Sequence, residues 1–542
     1  MISLALIFIA ICIYWIYWVA HARRMDLMTK SLPVLPTLPL IGNGSLFLGD
    51  TQQILKNLWT VANLAFQHKN SAKLWLGPKL YVAIGDPGDA QVVLENCLDK
   101  DVVYRFLRPW LGHGLFVAPV NLWKSHRKVL LPVFHNKVVE EYLGVIAEQA
   151  DVLIERLGEK VDGDKFDVLK YITACTLDIV FETAMGERMG VQQSPDTPYL
   201  RARHTVMTIL NMRLFKVWLQ PDCLFNLTQY AKQQKDNIDL THKFTDEVVQ
   251  KKRLEYEENK KKNNVKEQRE GKLRAVLDLL FGREIEFTNE QLREHIDSIT
   301  IAGNDTTALV IAYTLVLLGI HQDAQEKVIA EEIEFTNEQL REHIDSITIA
   351  GNDTTALVIA YTLVLLGIHQ DAQEKVIAEQ QTIFGTSKRG ATKDDLQKMH
   401  YLERVIKESM RLYTVVPIIA RNIDRDIYLP TCGVTLPVGT GAVIGAFAIH
   451  RSAAWGPRPD EFDPDRFLPE RSQTRHPAAF LPFSYGSRNC IGRNFGMLIM
   501  KSIISSVVRS YKIEADDIGP LKIEMLLFPI NGHLIKISKR NP

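Results

Sequence analysis

The sequence predicts a mainly helical α+β protein with small β-sheets, preceded by a single N-terminal transmembrane helix. Three observations support this fold class: an uncharged apolar run at residues 2–20, a helical pattern over about residues 120–420, and short strand-like segments flanked by Gly, Pro or Asp. The chain has 542 residues, of which 46% are hydrophobic, so it can bury a large core.

Residues 2–20 form the predicted membrane anchor, because an apolar run of this length spans the hydrocarbon layer as a helix. Arg23, Arg24 and Lys30 follow it, and positive charges at this end favour a cytosolic body. A cleaved signal peptide is the alternative, but there the positive charges precede the apolar run. Residues 21–45 are rich in proline, so we expect this linker to orient the remaining domain, residues 46–542.

The elements predicted within this domain are mostly helices. Asp86-Pro87 opens one helix, and a final helix begins after Cys490. Short strands are predicted at residues 74–77, 80–85, 427–429, 443–447, 523–528 and 534–537.

Composition excludes some classes of function. Lys+Arg and Asp+Glu each number 64, so the net charge is zero and no nucleic-acid partner is indicated. The six cysteines are scattered and include no CxxC pair. This pattern is typical of buried thiols in a reducing compartment and differs from a disulfide framework or a zinc site.

A perfect tandem duplication of 48 residues interrupts the domain, since residues 284–331 and 332–379 are identical. Solenoid proteins carry at least three copies, and these have diverged. Two perfect copies therefore indicate either a recent duplication or an error in assembling the sequence.

Residues 483–492 (FSYGSRNCIG) carry the pattern expected of a haem-thiolate loop. Cys490 would bind the iron, while Gly486 and Gly492 would permit sharp turns and close approach to the porphyrin. Arg488 would contact a haem propionate, and Phe483 would shield the sulfur. Backbone donors and nearby positive charge are expected to lower the pKa of the Cys490 thiol. The alternative, a buried structural cysteine, does not explain the surrounding pattern.

With this loop, the sequence resembles the cytochrome P450 family over nearly its whole length. Glu408 and Arg411 match the family's ExxR pair, and residues 464–467 (PDRF) match its PxRF element. The resemblance implies the P450 fold with haem as cofactor, and a buried network of Glu408, Arg411 and Arg466 behind the cysteine loop. An ExxR pair by itself is more often a surface ion pair.

Residues 123–127 (WKSHR) match the family's WxxxR element, which implies that Trp123 and Arg127 hold a haem propionate. Arg421 and His450 lie where family members often add further propionate contacts. An ordinary amphipathic helix is the alternative for residues 123–127.

The family's oxygen-activating motif, AGNDTT, occurs once in each copy, at residues 302–307 and 350–355. It implies a distal helix on which an Asp–Thr pair relays protons. Ala302 and Ala350 stand where many members of the clan that includes fatty-acid ω-hydroxylases carry a Glu that becomes esterified to haem. We therefore expect non-covalent haem b, in a chain that resembles insect-type microsomal members.

Asp353 and Thr354, in the second copy, are the predicted proton-relay pair. If the second copy is used, the extra residues form a longer loop, which costs little entropy. If the first copy is used, the extra residues interrupt a helix and its packing, which costs several kcal/mol. Asp305 and Thr306 of the first copy are the alternative pair.

These features predict a haem-thiolate monooxygenase that inserts one oxygen atom from O2 into a lipophilic fatty acid, hormone, pheromone or xenobiotic. Residues 95–120 and 205–230 would line the substrate pocket. The resemblance implies an endoplasmic reticulum membrane protein that contacts lipid and receives electrons from NADPH-cytochrome P450 reductase, with cytochrome b5 as a further candidate donor. The alternative is a haem-binding protein that the duplicated distal helix leaves catalytically inactive.

Overall fold

The computed structural model describes residues 19–20, 22–39, 41–131, 140–261, 302–303 and 337–540. The predicted anchor lies outside the described residues, apart from residues 19–20. Asp305 and Thr306, the alternative proton-relay pair, also lie outside them.

Helices dominate the described part of the chain, as the sequence predicted. In chain order they are α1 (Thr51–Phe66), α2 (Pro87–Asn96), α3 (Arg108–Leu111), α4 (Val120–Leu130), α5 (Leu143–Gly158), α6 (Leu169–Val180), α7 (Pro198–Phe215), α8 (Asp222–Phe225), α9 (Gln229–Lys261), α10 (Asn337–Ile368), α11 (Gln370–Phe384), α12 (Lys393–Lys398), α13 (His400–Leu412), α14 (Ala446–Ile449), α15 (Pro469–Ser472) and α16 (Arg493–Ser510).

The strands are short and form several small sheets. They are β1 (Ser71–Leu76), β2 (Lys79–Ile84), β3 (Phe166–Asp167), β4 (Ala302–Gly303), β5 (Ile419–Asn422), β6 (Ile427–Leu429), β7 (Val434–Leu436), β8 (Gly441–Ile444), β9 (Ile491–Gly492), β10 (Tyr511–Glu514), β11 (Leu521–Ile523), β12 (Leu527–Pro529) and β13 (Leu534–Lys539). The largest sheet has the order β1-β2-β8-β5, in which β2 and β8 are parallel. A second sheet has the order β10-β13-β3, while β6-β7 and β11-β12 are antiparallel pairs.

Most predicted strands coincide with observed ones, but two predictions need correction. The strand predicted at 523–528 is wrong, because the amide of Glu524 donates to the carbonyl of Leu526 and the chain reverses there between β11 and β12. The strand predicted at 443–447 ends at Ile444, and helix α14 begins at Ala446.

Helix α10 is the centre of the main hydrophobic core. Its residues 356–366 are buried, and it packs against α6, α13 and α16. The ring of Tyr361 stacks on Tyr413 with centroids 4.8 Å apart. Among the described helices, only α10 contains a segment long and apolar enough to cross a bilayer, Gly351–Ile368. However, 78% of that segment is buried inside the protein. Such burial is typical of a core helix.

The core helix comes from the second copy of the duplication. Helix α11 follows α10 after the single residue His369 and continues past the end of the copy, residue 379, to Phe384. Two residues beyond the copy fix this continuation: Gln380 accepts a hydrogen bond from Ser505 at 2.6 Å, and Phe384 packs in the main core. Only the second copy is continuous with these residues in the sequence.

Candidate active site

The loop that carries Cys490 is closed by its own backbone. The Cys490 amide donates to the carbonyl of Phe483 at 2.8 Å. Gly486 turns the chain with a φ of +69°, and a Cβ there would lie 2.6 Å from the carbonyl oxygen of Leu94, at the end of α2. Only glycine fits this position, since both the backbone angle and the close approach exclude a side chain. Gly492 then precedes α16 as its N-terminal cap.

The pKa of the Cys490 thiol differs from the sequence prediction. Burial raises it, and the Gly492 amide together with the positive charges of Arg127 and Arg493 offsets only part of that increase. The prediction of a lowered pKa counted the favourable donors but omitted desolvation. A bound metal ion supplies the further positive charge that deprotonates a coordinating thiol.

Glu408, Arg411 and Arg466 lie together behind this loop. Nε and Nη2 of Arg411 donate to the two carboxylate oxygens of Glu408 at 2.7 and 2.8 Å, and both side chains are fully buried. Arg466 approaches the same carboxylate at 3.5 Å, and the amide of Asp463 donates to it at 2.9 Å. A bidentate pair with every oxygen engaged is the arrangement in which a buried ion pair is stable.

Trp123 and Arg127 on α4 meet the cysteine loop. The guanidinium carbon of Arg488 lies 4.6 Å from the ring centre of the buried Trp123, and that of Arg127 lies 5.6 Å from it. Arg127 also donates to the carbonyl and the side-chain oxygen of Asn489, at 3.1 and 2.7 Å. The structure thus brings together residues that are more than 360 positions apart in the sequence.

Three cations converge beside this group: Lys100, Arg421 and Arg488. Burial, together with repulsion by Arg488 and Arg421, lowers the pKa of Lys100. Burial also lowers the pKa of Arg421. The pKa of Arg488 falls to about 9 because of burial and the charge of Arg421. Among the described residues, no carboxylate forms an ion pair with any of the three. The Nε atoms of Arg421 and Arg488, and Nη1 of Arg488, are buried without a hydrogen-bond partner.

Buried donors of this kind require an anionic ligand, because an unpaired buried charge is costly. The two propionates of haem provide such anions, and Cys490 provides the thiolate, so the residues present fit the cofactor. Sequence reasoning missed Lys100, which has no motif of its own. Its only signal was that it falls within residues 95–120, the predicted pocket segment.

His450 does not serve as a propionate contact. Its Nδ1 lies 2.7 Å from the hydroxyl of Thr414, and its Nε2 accepts the amide of Leu481 at 2.7 Å. Both ring nitrogens are therefore occupied by the protein, which corrects the sequence prediction for this residue.

On α10, the AGNDTT motif of the second copy contacts two neighbouring helices. Asp353 forms an ion pair of 2.5 Å with the buried Arg203 of α7, and Asn352 accepts from the hydroxyl of Thr176 on α6 at 2.5 Å. Burial opposes the charge on Arg203, but Asp353 outweighs it and raises the pKa of Arg203. Sequence reasoning missed Arg203, which no local pattern links to the motif.

The same motif approaches α16, which begins three residues after Cys490. A Cβ at Gly496 would lie 3.8 Å from the hydroxyl oxygen of Thr355. The helix that carries Asp353 and Thr354 therefore packs directly on the helix that follows the cysteine loop.

The predicted pocket segments, residues 95–120 and 205–230, pack on each other through apolar side chains. Phe106, Trp110 and Val117 contact Val206 and Leu210 of α7 in one buried cluster. These side chains are apolar, so a ligand that contacts them would be lipophilic.

Comparison with known proteins is consistent with this geometry. A family model described as "Cytochrome P450" matches residues 32–334 and 330–537, and the two matches meet at the junction of the duplicated copies. Human "Cytochrome P450 4V2" is 33% identical over 535 residues, covering 96% of this chain and 92% of that protein. "Cytochrome P450 4c3" of Drosophila melanogaster is 34% identical over 556 residues, with 97% and 93% covered. The crystal structure of the cytochrome P450DA heme domain is similar in fold, with a TM-score of 0.72 at 21% identity, and covers 94% of this chain and 98% of that one.

Proposed function

Because the chain belongs to the cytochrome P450 family, we propose that it is a membrane-anchored monooxygenase of lipophilic small molecules that uses Cys490 as its haem ligand. The family makes it a monooxygenase with haem and an axial cysteine thiolate. The proposal assigns residues to these roles: Cys490 supplies the thiolate, and Asp353 and Thr354 deliver protons.

One observation favours this proposal over the alternative, a haem-binding protein that the duplication inactivates. The second copy forms a continuous, buried α10 whose Asp353 is paired with Arg203, so the duplication leaves the core helix uninterrupted. When bound, haem activates dioxygen for insertion of one oxygen atom into the substrate, which a thiolate ligand promotes.

The chain's own residues prepare the site for this chemistry. Arg203 forms an ion pair with Asp353, which lies next to Thr354 on the same helix. To relay a proton, Asp353 must leave Arg203 and take up a proton from solvent, which it then passes to the hydroxyl of Thr354 on the distal side. Lys100, Arg421 and Arg488 would hold the propionates, and the apolar cluster around Phe106 and Trp110 would exclude water.

The substrate class is inferred from the apolar cluster around Phe106 and Trp110, and the partners from the family. The cluster around Phe106 and Trp110 supports a lipophilic substrate, with a fatty acid, hormone, pheromone or xenobiotic as the classes to be tested. Electrons come from NADPH through a cytochrome P450 reductase, with cytochrome b5 as a second donor. Residues 2–20 anchor the chain in the endoplasmic reticulum membrane, residues 21–45 form the linker, and residues 46–542 form the cytosolic domain.

Turnover by the full chain distinguishes the monooxygenase from the inactive binder. Purified holoprotein is mixed with reductase, NADPH and a panel of lipophilic compounds, and product is measured per NADPH consumed. The control is a chain lacking residues 284–331, since deletion of either copy yields the same sequence. We expect oxygenated product from both chains. Product from the single-copy chain alone would favour the inactive binder.

A further inference from the structure

His450 connects the ExxR helix to the cysteine loop through both nitrogens of its ring. The residue follows the short helix α14, and its side chain is completely buried. Nδ1 lies 2.7 Å from the hydroxyl oxygen of Thr414, just after α13, and Nε2 lies 2.7 Å from the backbone nitrogen of Leu481. The ring therefore bridges two segments that are far apart in the sequence.

The Leu481 amide fixes the direction of these hydrogen bonds. A backbone N–H can only donate, so Nε2 accepts and Nδ1 carries the hydrogen of the neutral ring. Nδ1 then donates to Thr414, whose hydroxyl donates in turn to the carbonyl of Arg411 at 3.1 Å. A directed series of hydrogen bonds thus runs from Leu481 to the residue that pairs with Glu408.

Both ends of this series reach groups that define the proximal site. Arg411 also donates through Nη1 to the backbone carbonyl of His450 at 2.8 Å, so the imidazole is tied to the ion pair from two sides. At the other end, Leu481 lies two residues before Phe483, whose carbonyl closes the loop onto the amide of Cys490. A shift of the ring would therefore move the start of that loop.

The surroundings keep the ring neutral and in place. Burial, followed by the charges of Arg411 and Arg451, lowers the pKa of His450 to about 3. Nε2 consequently remains an acceptor at physiological pH. The ring of Phe480 packs on the imidazole with centroids 5.4 Å apart, which restricts its rotation.

We propose that His450 is a positioning residue for the iron ligand, because it sets the start of the cysteine loop relative to the Glu408–Arg411 pair and so holds the sulfur of Cys490 on the haem. This role rests on the proposed function, since it takes Cys490 to be the ligand. It acts through hydrogen bonds to Thr414 and Leu481, and not through contact with the cofactor.

The reduced carbon-monoxide difference spectrum of the holoenzyme tests this role, because it separates thiolate-ligated haem from haem whose sulfur is protonated or lost. His450→Phe removes both hydrogen bonds but keeps a planar ring. We expect the ratio of the band of haem without a thiolate ligand to the thiolate band to rise about tenfold. This factor corresponds to about 1.4 kcal/mol, within the range for leaving a buried hydrogen-bonding group unsatisfied. His450→Gln keeps a donor and an acceptor and should restore most of the thiolate band.

Two further variants keep the test decisive. Thr414→Val removes one of the two hydrogen bonds and should shift the ratio in the same direction by less, even if His450→Phe does not fold. His533→Phe is the matched control, since His533 is equally buried but packs edge-on against Tyr361 of α10 at 4.4 Å. It should change the melting temperature and leave the band ratio unchanged.

The outcomes separate this role from the proposed function. An unchanged band ratio in His450→Phe and Thr414→Val, with only lower melting temperatures, would mean that His450 merely fills the core. A thiolate band missing from the unsubstituted holoenzyme would instead refute Cys490 as ligand, and the positioning role with it.

Discussion

The two sides of the proposed haem site are assembled in different ways. The proximal side is encoded once. Arg127 and Arg488 join α4 to the cysteine loop, and His450 joins the end of α13 to the start of that loop. The distal side is encoded twice, in two identical stretches, of which the second forms the buried helix α10.

The residues that follow the second copy in the chain continue its helices into the core. Gln370 and Gln373 both donate to the carbonyl of Ile513 in β10, at 2.9 and 2.8 Å, and α11 then runs on to Phe384. The first copy contains the same residues, but it is followed by the second copy in place of Gln380 and Phe384. Where both copies are described, the same two residues differ in structure: Ala302–Gly303 form β4, which pairs with β9 beside Cys490, whereas residues 350–351 lie in α10. The local propensities are identical, so the surroundings decide between the two structures.

The largest expected effect would come from removing the proximal ligand. Cys490→Ser should eliminate both the thiolate band of the reduced carbon-monoxide spectrum and product formation, because a serine hydroxyl does not replace the thiolate. Cys432→Ser is the control, since that buried thiol lies beside Leu429, outside the loop. A thiolate band retained in Cys490→Ser would place the ligand elsewhere.

The next largest effect tests the support behind the ligand. Glu408→Gln leaves the fully buried Arg411 without its carboxylate and should lower the free energy of unfolding by about 3–5 kcal/mol. Denaturant unfolding of the holoprotein measures this loss.

Glu159→Gln is the control for Glu408→Gln. Its partner Arg156 is also three residues away on the chain, but both side chains are exposed, so the expected loss is less than about 1 kcal/mol. Similar losses in the two variants would contradict a special role for the buried pair.

A smaller effect concerns retention of the cofactor. Arg488→Gln removes one of the three converging cations and should weaken haem binding by roughly 2 kcal/mol, the value of a charged hydrogen bond. Transfer of haem to a scavenger protein should then accelerate by at least about tenfold. Arg509→Gln, which removes an arginine bonded to the carbonyls of Ser387 and Arg389, should leave the transfer rate unchanged.

The smallest effect is a pH dependence on the proximal side. Burial opposes ionisation of Glu403, but Lys501 and Lys407 outweigh it and lower the pKa of Glu403 to about 2 from 4.5. The stability that this carboxylate contributes is complete above pH 4.5 and is lost as the pH falls toward about 2. Melting temperatures of Glu403→Gln should therefore fall less steeply over this window than those of the unsubstituted protein. If the melting temperatures of the two proteins fell in parallel over this pH window, Glu403 would make no such contribution to stability.

The sequence predicted the residues that belong to compact motifs. Cys490, Glu408 and Trp123 each stand in a short pattern with a physical reason for its spacing, and the structure brings these patterns together. The roles assigned to these residues remain proposals until the variants are measured.

Contacts across long sequence distances were not predictable in this way. Arg203 meets Asp353 only after two helices pack, and Lys100 meets Arg421 only where its segment pairs with β5; the spacing of these residues carries no local signal. His450 was assigned to the cofactor because a sequence does not reveal that Thr414 and Leu481 occupy both ring nitrogens. The apolar run at 523–528 fits a strand or a hairpin equally, and the turn at Glu524 decided between them.

The most direct test of the account compares the same substitution in the two copies. Asp353→Asn and Asp305→Asn alter identical local sequences, so any difference in activity reports which copy lies across the haem. We expect the rate of product formation to fall about 100-fold in Asp353→Asn, the usual contribution of a general acid, and to stay unchanged in Asp305→Asn. Loss of activity in Asp305→Asn with full activity in Asp353→Asn would contradict the account.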